Sequence, residues 1–182
     1  MNRFKKHFLA AFFTLCVMQL IAVIYMVAKY ESVLLFGDVI ILKAEPIDPY
    51  DPFRGRYITL NFEQRRININ KHFNETSDFF ITFNNEGKFA IIDDIFDVPP
   101  QDERPYLKVK GYVYVDGEIS ITYPFNRFYM QEDLAQYVDM RQWNFFNNNE
   151  VSVKIRVLNG KGVIENVVVG NVSISEFIKN QK

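Results

Sequence analysis

Asp48, Asp51, Arg54, Tyr57 and Glu132 are the residues of this sequence whose types and spacing could do chemistry. Four of them fall within PIDPYDPFRGRYITLNF, the stretch from Pro46 to Phe62. Pro46, Pro49 and Pro52 hold φ at about −65° and remove three backbone donors. Each also pushes the residue before it, Glu45, Asp48 or Asp51, toward extended geometry. Gly55 then lets the backbone pass close to a neighbour. Arg54 brings a planar guanidinium that Asp48 or Asp51 can meet, even bidentately. One reading is a stiff corner locked by an internal ion pair. The other is a binding platform on which Arg54, Tyr57 and Glu132 converge. Pro and Asp are ordinary turn residues, so the ion pair is the favoured role for Arg54. Asp48 and Tyr57 are expected on the surface.

Other chemistries lack their parts. Glu45, Asp48 and Asp51 could attract Ca²⁺, but no Asp-x-Asp-x-Asp-Gly loop accompanies them. The two histidines, His7 and His72, stand far apart, and Cys16 is the single cysteine. A histidine or cysteine zinc site therefore has no ligand set, and no metal or cofactor is expected. Ser32 has no neighbouring motif that would pair it with a lysine base. Glu132 could act as a general acid, yet a carboxylate at a helix start is more often structural. The enzyme reading is thus the weaker one, and no catalytic residue is assigned.

These residues need elements to position them. Arg3, Lys5 and Lys6 open the chain, and no formal charge follows from Phe8 to Ala28. At 1.5 Å per residue this run makes about 31 Å of helix, enough for a hydrocarbon core of about 30 Å. A cleaved signal peptide is the rival reading, but the run is longer than its usual apolar region of about 7–15 residues. A cut after Ala28 would also leave the large Met26 at the −3 position. An uncleaved signal anchor is favoured, with the N-terminus cytoplasmic by the positive-inside rule. Residues 1–30 are read as basic tip and span, and 31–182 as an extracytoplasmic domain at an inner or plasma membrane.

Beyond Lys29 the sequence holds 17 basic and 22 acidic side chains, a net charge of about −5. Arg65-Arg66 is its only basic run, which argues against nucleic acid. Without a disulfide the domain must stand on its core, for which 18 Phe and 10 Tyr are available. Short β-branched and aromatic runs separated by turn residues read as strands. Val33–Leu42 is a first extended stretch. In Arg56–Glu63, Ile58, Leu60 and Phe62 alternate toward a core face. Hairpins are expected for Phe79–Phe83 with Lys88–Ile92, for Leu107–Val115 with Glu118–Tyr123, and for Val151–Leu158 with Gly162–Val169. Segments 64–77 and 93–105 read as loops. Gln131–Arg141 reads as a helix docked on a sheet edge or barrel mouth, with Leu134 and Val138 buried and Tyr123–Tyr129 packed beside it. Trp143, Phe145 and Phe146 are expected to pack at its end. The fold class is mainly β, barrel or sandwich-like, with one short docked helix, preceded by one transmembrane helix.

The order of an anchor, LLFGDVIILKAEPIDPYDPFRGRYITLNF, ITYPFNRFYMQEDLAQYVD and a closing VSVKIRVLNGKGVIENVVV hairpin resembles the GDYXXLXY family of bacterial membrane-anchored proteins. Gly37, Pro46, Asp48, Pro49, Asp51, Phe53, Arg54, Gly55, Tyr57, Leu60 and Glu132 fit its pattern. Arg56 stands where Asp is expected and Phe62 where Tyr is expected, so a role resting on that Asp does not transfer. The resemblance implies a location and a neighbour, a multi-spanning membrane protein, and no particular reaction. Two functions follow: a non-catalytic accessory subunit for such a protein, or a small-ligand-binding module or hydrolase with its site near Arg54, Tyr57 and Glu132.

Overall fold

The computed structural model describes residues 2–45, 57–68, 73, 76–114, 117–131, 133–134 and 149–181. No Gly or Pro interrupts the chain from Asn2 to Phe36, and that stretch forms one helix, α1. Within it His7–Phe36 is long and apolar enough to cross a membrane or to serve as a signal sequence, and an 18-residue window of it has a mean hydropathy of 2.3. None of that 18-residue window is buried by the rest of the chain, although Val33 near the helix end is. The Thr14 hydroxyl donates to the Ala10 carbonyl at 3.0 Å, so this polar group is satisfied within the helix. Helix α1 runs through Val33–Phe36, which sequence reading assigns to the first strand. Val, Leu and Phe in a short apolar run suit either element, and here the preceding helix extends through them.

The strands follow as β1 (Asp38–Glu45), β2 (Tyr57–Thr59), β3 (Asn61–Phe62), β4 (Arg66–Asn68), β5 (Thr76–Asn84) and β6 (Ile91–Phe96). Then come β7 (Tyr106–Val113), β8 (Glu118–Thr122), β9 (Arg127–Tyr129), β10 (Val151–Leu158), β11 (Lys161–Val169), β12 (Val172–Ser173) and a helix, α2 (Ile174–Lys179). They form a five-stranded sheet β12-β11-β10-β1-β3, a second five-stranded sheet β4-β8-β7-β5-β6, and the pair β2-β9. Together they wrap one core like half a barrel. Phe79, Ile81, Leu107, Ile119, Ile155 and Val153 are fully buried in it.

Period-2 alternation sorts the inward residues. In β10 every second side chain, from Val151 to Val157, is buried. Ile58, Leu60 and Phe62 point inward as expected, with 0%, 2% and 3% of their surface exposed. Their strand is not continuous, however: β2 pairs with β9, whereas β3 pairs with β1. The β10–β11 hairpin turns through Asn159 and Gly160, both at positive φ (48° and 77°). This is the geometry that a two-residue turn of twisted strands demands.

The loops are shorter than the sequence suggests. Arg66–Asn68 forms the edge strand β4, β5 begins at Thr76, and β6 runs from Ile91 to Phe96 rather than over Lys88–Ile92. Within Tyr123–Tyr129, expected to pack with the helix against the sheet, Arg127–Tyr129 forms β9. Of the Gln131–Arg141 helix only Asp133 and Leu134 are described as helical, and Leu134 is buried. The rest of that helix, with Val138, Trp143, Phe145 and Phe146, lies outside the described residues. An unforeseen element closes the chain. Ser173 caps α2 by accepting from the Glu176 N–H at 3.3 Å, and Ile174 and Ile178 are buried one turn apart.

Candidate functional site

Among the described residues, two gatherings of polar side chains bear on the site: the junction where α1 enters the sheet, and a cleft beside β3. The junction begins with a bulge. Across β10 and β11, Lys154 faces Asn166 and Ile155 faces Ile164, which leaves Glu165 as the extra residue. A bulge re-aims a side chain, and this one places a carboxylate between two cations. Lys154 Nζ donates to Glu165 Oε1 at 2.6 Å, and Arg156 Nε donates to Oε2 at 2.5 Å. The Lys154 hydrogen bond is the main reason that the Glu165 carboxyl sits below the usual carboxylate range; Arg156 adds to it against the opposing effect of burial.

Held in this way, Arg156 reaches the helix end. Its Nη1 donates to the Gly37 carbonyl at 3.0 Å. The Gly37 N–H donates back to the Val33 carbonyl at 2.9 Å, and Val33 is buried. A Cβ on Gly37 would come within 2.4 Å of the Val33 oxygen and 3.1 Å of the Val157 backbone. Only glycine fits there. Helix α1 therefore passes into β1 through a single residue gripped from both sides, with no linker.

The second place is built on β2 and β3, from Tyr57 to Phe62. Its inward residues belong to the core. Phe62 packs on Tyr123 and Phe125, with ring centroids 4.7 and 5.7 Å apart. Its outward residues make polar and stacking contacts. Tyr57 lies opposite Tyr129 at 5.5 Å, and the Arg127 guanidinium sits 4.8 Å from the Tyr57 ring centre. Asn61 Nδ2 is 3.5 Å from Glu45 Oε2.

Between β3 and β8 opens a cleft of about 620 Å³. Thr59 to Glu63 and Glu45 form one wall, Ser120 to Tyr123 another, with Phe125 and Asn126 between them. Arg65 and Arg66 stand at its mouth. Glu63 is paired with Lys43 at 3.2 Å, and Arg66 lies 3.7 Å from Glu118. Gln64 fixes the turn beneath them. Its Oε1 accepts from the Ile92 N–H at 2.6 Å, its Nε2 donates to the Ala90 carbonyl at 3.2 Å, and its own carbonyl accepts from the Tyr123 hydroxyl at 3.0 Å. Burial pushes the Tyr123 phenol far above its ordinary value, so it remains a neutral donor. The volume falls within the roughly 300–1,000 Å³ of small-molecule sites.

Of the residues singled out by sequence, Tyr57 is half-buried in β2 and does not line the cleft. Asp48, Asp51, Arg54 and Glu132, and the ion pair expected of Arg54, lie outside the described residues. Arg127, Gln64 and Glu165 were not foreseen. Alternation could have flagged Gln64 as a polar residue just past a core-facing strand, but Arg127 and Glu165 act through cross-strand register. Among the described residues no cluster of three His, Cys, Asp or Glu side chains could hold a metal ion.

Two features described above coincide with a known sequence pattern. The Tyr-x-x-Leu-x-Phe part of the Gly-x-Tyr-x-x-Leu-x-Phe run supplies β2 and β3 over the core, and the apolar helix leads into the sheet. Residues 19–167 match the family model described as GDYXXLXY protein. No curated protein and no solved structure matches the chain. On that match, which takes in about half of α1 and nearly all of the β-domain, the chain belongs to the GDYXXLXY family.

Proposed function

We propose that this protein is a membrane-anchored envelope component acting as a non-catalytic accessory subunit of a multi-spanning membrane protein. In this reading residues 1–30 are the cytoplasmic tip and span, and 31–182 form the extracytoplasmic domain. The protein is single-pass in an inner or plasma membrane. The observation that supports it is the linkerless junction at Gly37. A ligand-binding domain that needed only tethering would work on a flexible leash. A helix locked into its sheet ties whatever α1 touches in the membrane to the bearing of the domain outside.

Topology and partnership are tested separately. In a Cys16→Ala background, Lys179→Cys is expected to react with a membrane-impermeant maleimide in intact spheroplasts. Protection until lysis would reverse the orientation. Full-length protein purified in detergent is expected to retain a multi-spanning membrane protein in stoichiometric amount. A version with α1 replaced by an unrelated apolar helix should lose it, and equal retention by both would sink the accessory reading.

The cleft favours a second reading, an extracytoplasmic small-ligand-binding module or hydrolase, with the site in this cleft instead of at the Arg54, Tyr57 and Glu132 singled out by sequence. The described wall of such a site is Thr59–Glu63 with Arg65. A compound that raises the melting temperature of the parent but not of Asn61→Ala or Arg65→Ala would favour it.

A further inference from the structure

We infer that the β-domain rests directly on the outer face of the bilayer, with Leu35, Phe36 and the tip of the β10–β11 hairpin in the lipid headgroup layer. This rests on the membrane-anchored reading and adds a second contact to it, between the folded domain and a lipid surface.

The length of α1 carries the argument. Its membrane-span candidate, His7–Phe36, has 30 residues, uncharged from Phe8 to Ala28 with Lys29 and Glu31 near its outer end. At 1.5 Å per residue that is about 45 Å, whereas a hydrocarbon core of about 30 Å needs only about 20 residues. The whole length matches the full bilayer thickness of about 40–45 Å, so the surplus of about 15 Å lies in the headgroup layers. A tilt of about 20° shortens the reach only to about 42 Å. With Arg3, Lys5 and Lys6 at the cytoplasmic headgroups, the last turn ends in the opposite headgroup layer.

The surface at that turn fits such a layer. Leu35 and Phe36 are 70% and 75% exposed, the highest exposures in the final turn, although the same turn buries Val33 in the domain. In water these side chains would form an apolar collar at the foot of a folded domain. At a membrane boundary they are solvated by lipid. Nothing lifts the domain away, because Gly37 is held by Val33 on one side and Arg156 on the other. Asp38 pairs with Val157, so the hairpin tip lies at the same end of the sheet, with Gly160 buried and bonded to Tyr106 and Lys108 of β7 and Asn159 exposed. The exposed Lys161 follows it, a cation suited to headgroup phosphates.

The test uses the full chain in a Cys16→Ala background, with spin labels on Leu35→Cys, Lys161→Cys and Asn171→Cys. Asn171 is exposed at the far end of β11 and serves as the aqueous reference. The protein is reconstituted into nanodiscs of phosphatidylcholine and phosphatidylglycerol. Collision with oxygen and with a water-soluble nickel complex then reports depth. Nickel access at 35 is expected to fall by an order of magnitude relative to 171, with 161 in between. Access at 35 and 161 equal to that at 171 overturns the inference while leaving the anchor intact. Low access to both reagents at 35 also overturns it, because a protein contact then covers the collar. Failure of the unlabelled chain to float with vesicles removes the anchor and the inference together.

Discussion

Glu165 holds two cations and, through one of them, the foot of the domain. Its lowered pKa means that the folded chain binds that proton less tightly than the unfolded chain does. The stabilisation is therefore fully present above the ordinary carboxyl value of 4.5 and is lost as pH falls through the lowered folded value. Glu165→Gln is expected to melt at a lower temperature than the parent at neutral pH, and the gap should close under acid. A gap constant from pH 7 to 3 would show that the carboxylate's charge does not matter. Gly37→Ala tests the same junction sterically. Its Cβ meets backbone oxygen on the Val33 side, which cannot rotate away. The cost should exceed the roughly 1 kcal/mol of an ordinary Gly-to-Ala mismatch, read as a lower denaturant midpoint in detergent.

At the scale of elements, the pattern of the sequence identifies strands better than it identifies their partners. Ile58, Leu60 and Phe62 alternate, so their inward face is legible, and Asn159-Gly160 announces a hairpin. What joins Tyr57 to Tyr129, or Phe62 to Ala44, is register between segments far apart in the chain, for which no local signal exists. The same limit hides Arg127, whose role depends on lying across from Thr59. Val33–Phe36 is ambiguous for another reason, since a short apolar run fits a helix end as well as a strand. Edge strand β4, only Arg-Ile-Asn, is too short and too polar to stand out. Within the candidate site, Tyr57 on the outward face was legible, whereas the cleft and the bulge at Glu165 arise only on folding. Leu134 is buried, as its helical spacing predicts. Leu134→Ala should cost about 2–5 kcal/mol, by lost transfer energy and a residual cavity. An unchanged melting temperature would mean that this short turn is not docked on the core.

For the whole molecule, helix and half-barrel meet with only Gly37 between them, held by Val33 and Arg156. Conventional tethers let a domain swivel, and the number of residues in their membrane helix is of little consequence. Here the gripped Gly37 gives that number a directional meaning, as teeth do on a gear. One alanine inserted between Val23 and Ile24 turns everything beyond it by about 100° and raises it by about 1.5 Å. Four inserted residues turn it by about 400°, only 40° from the starting bearing, while raising it by about 6 Å. If a membrane partner reads the domain, retention of that partner in detergent should drop more for the single insertion than for the fourfold one. The opposite order would mean that height above the bilayer counts, and compass heading does not.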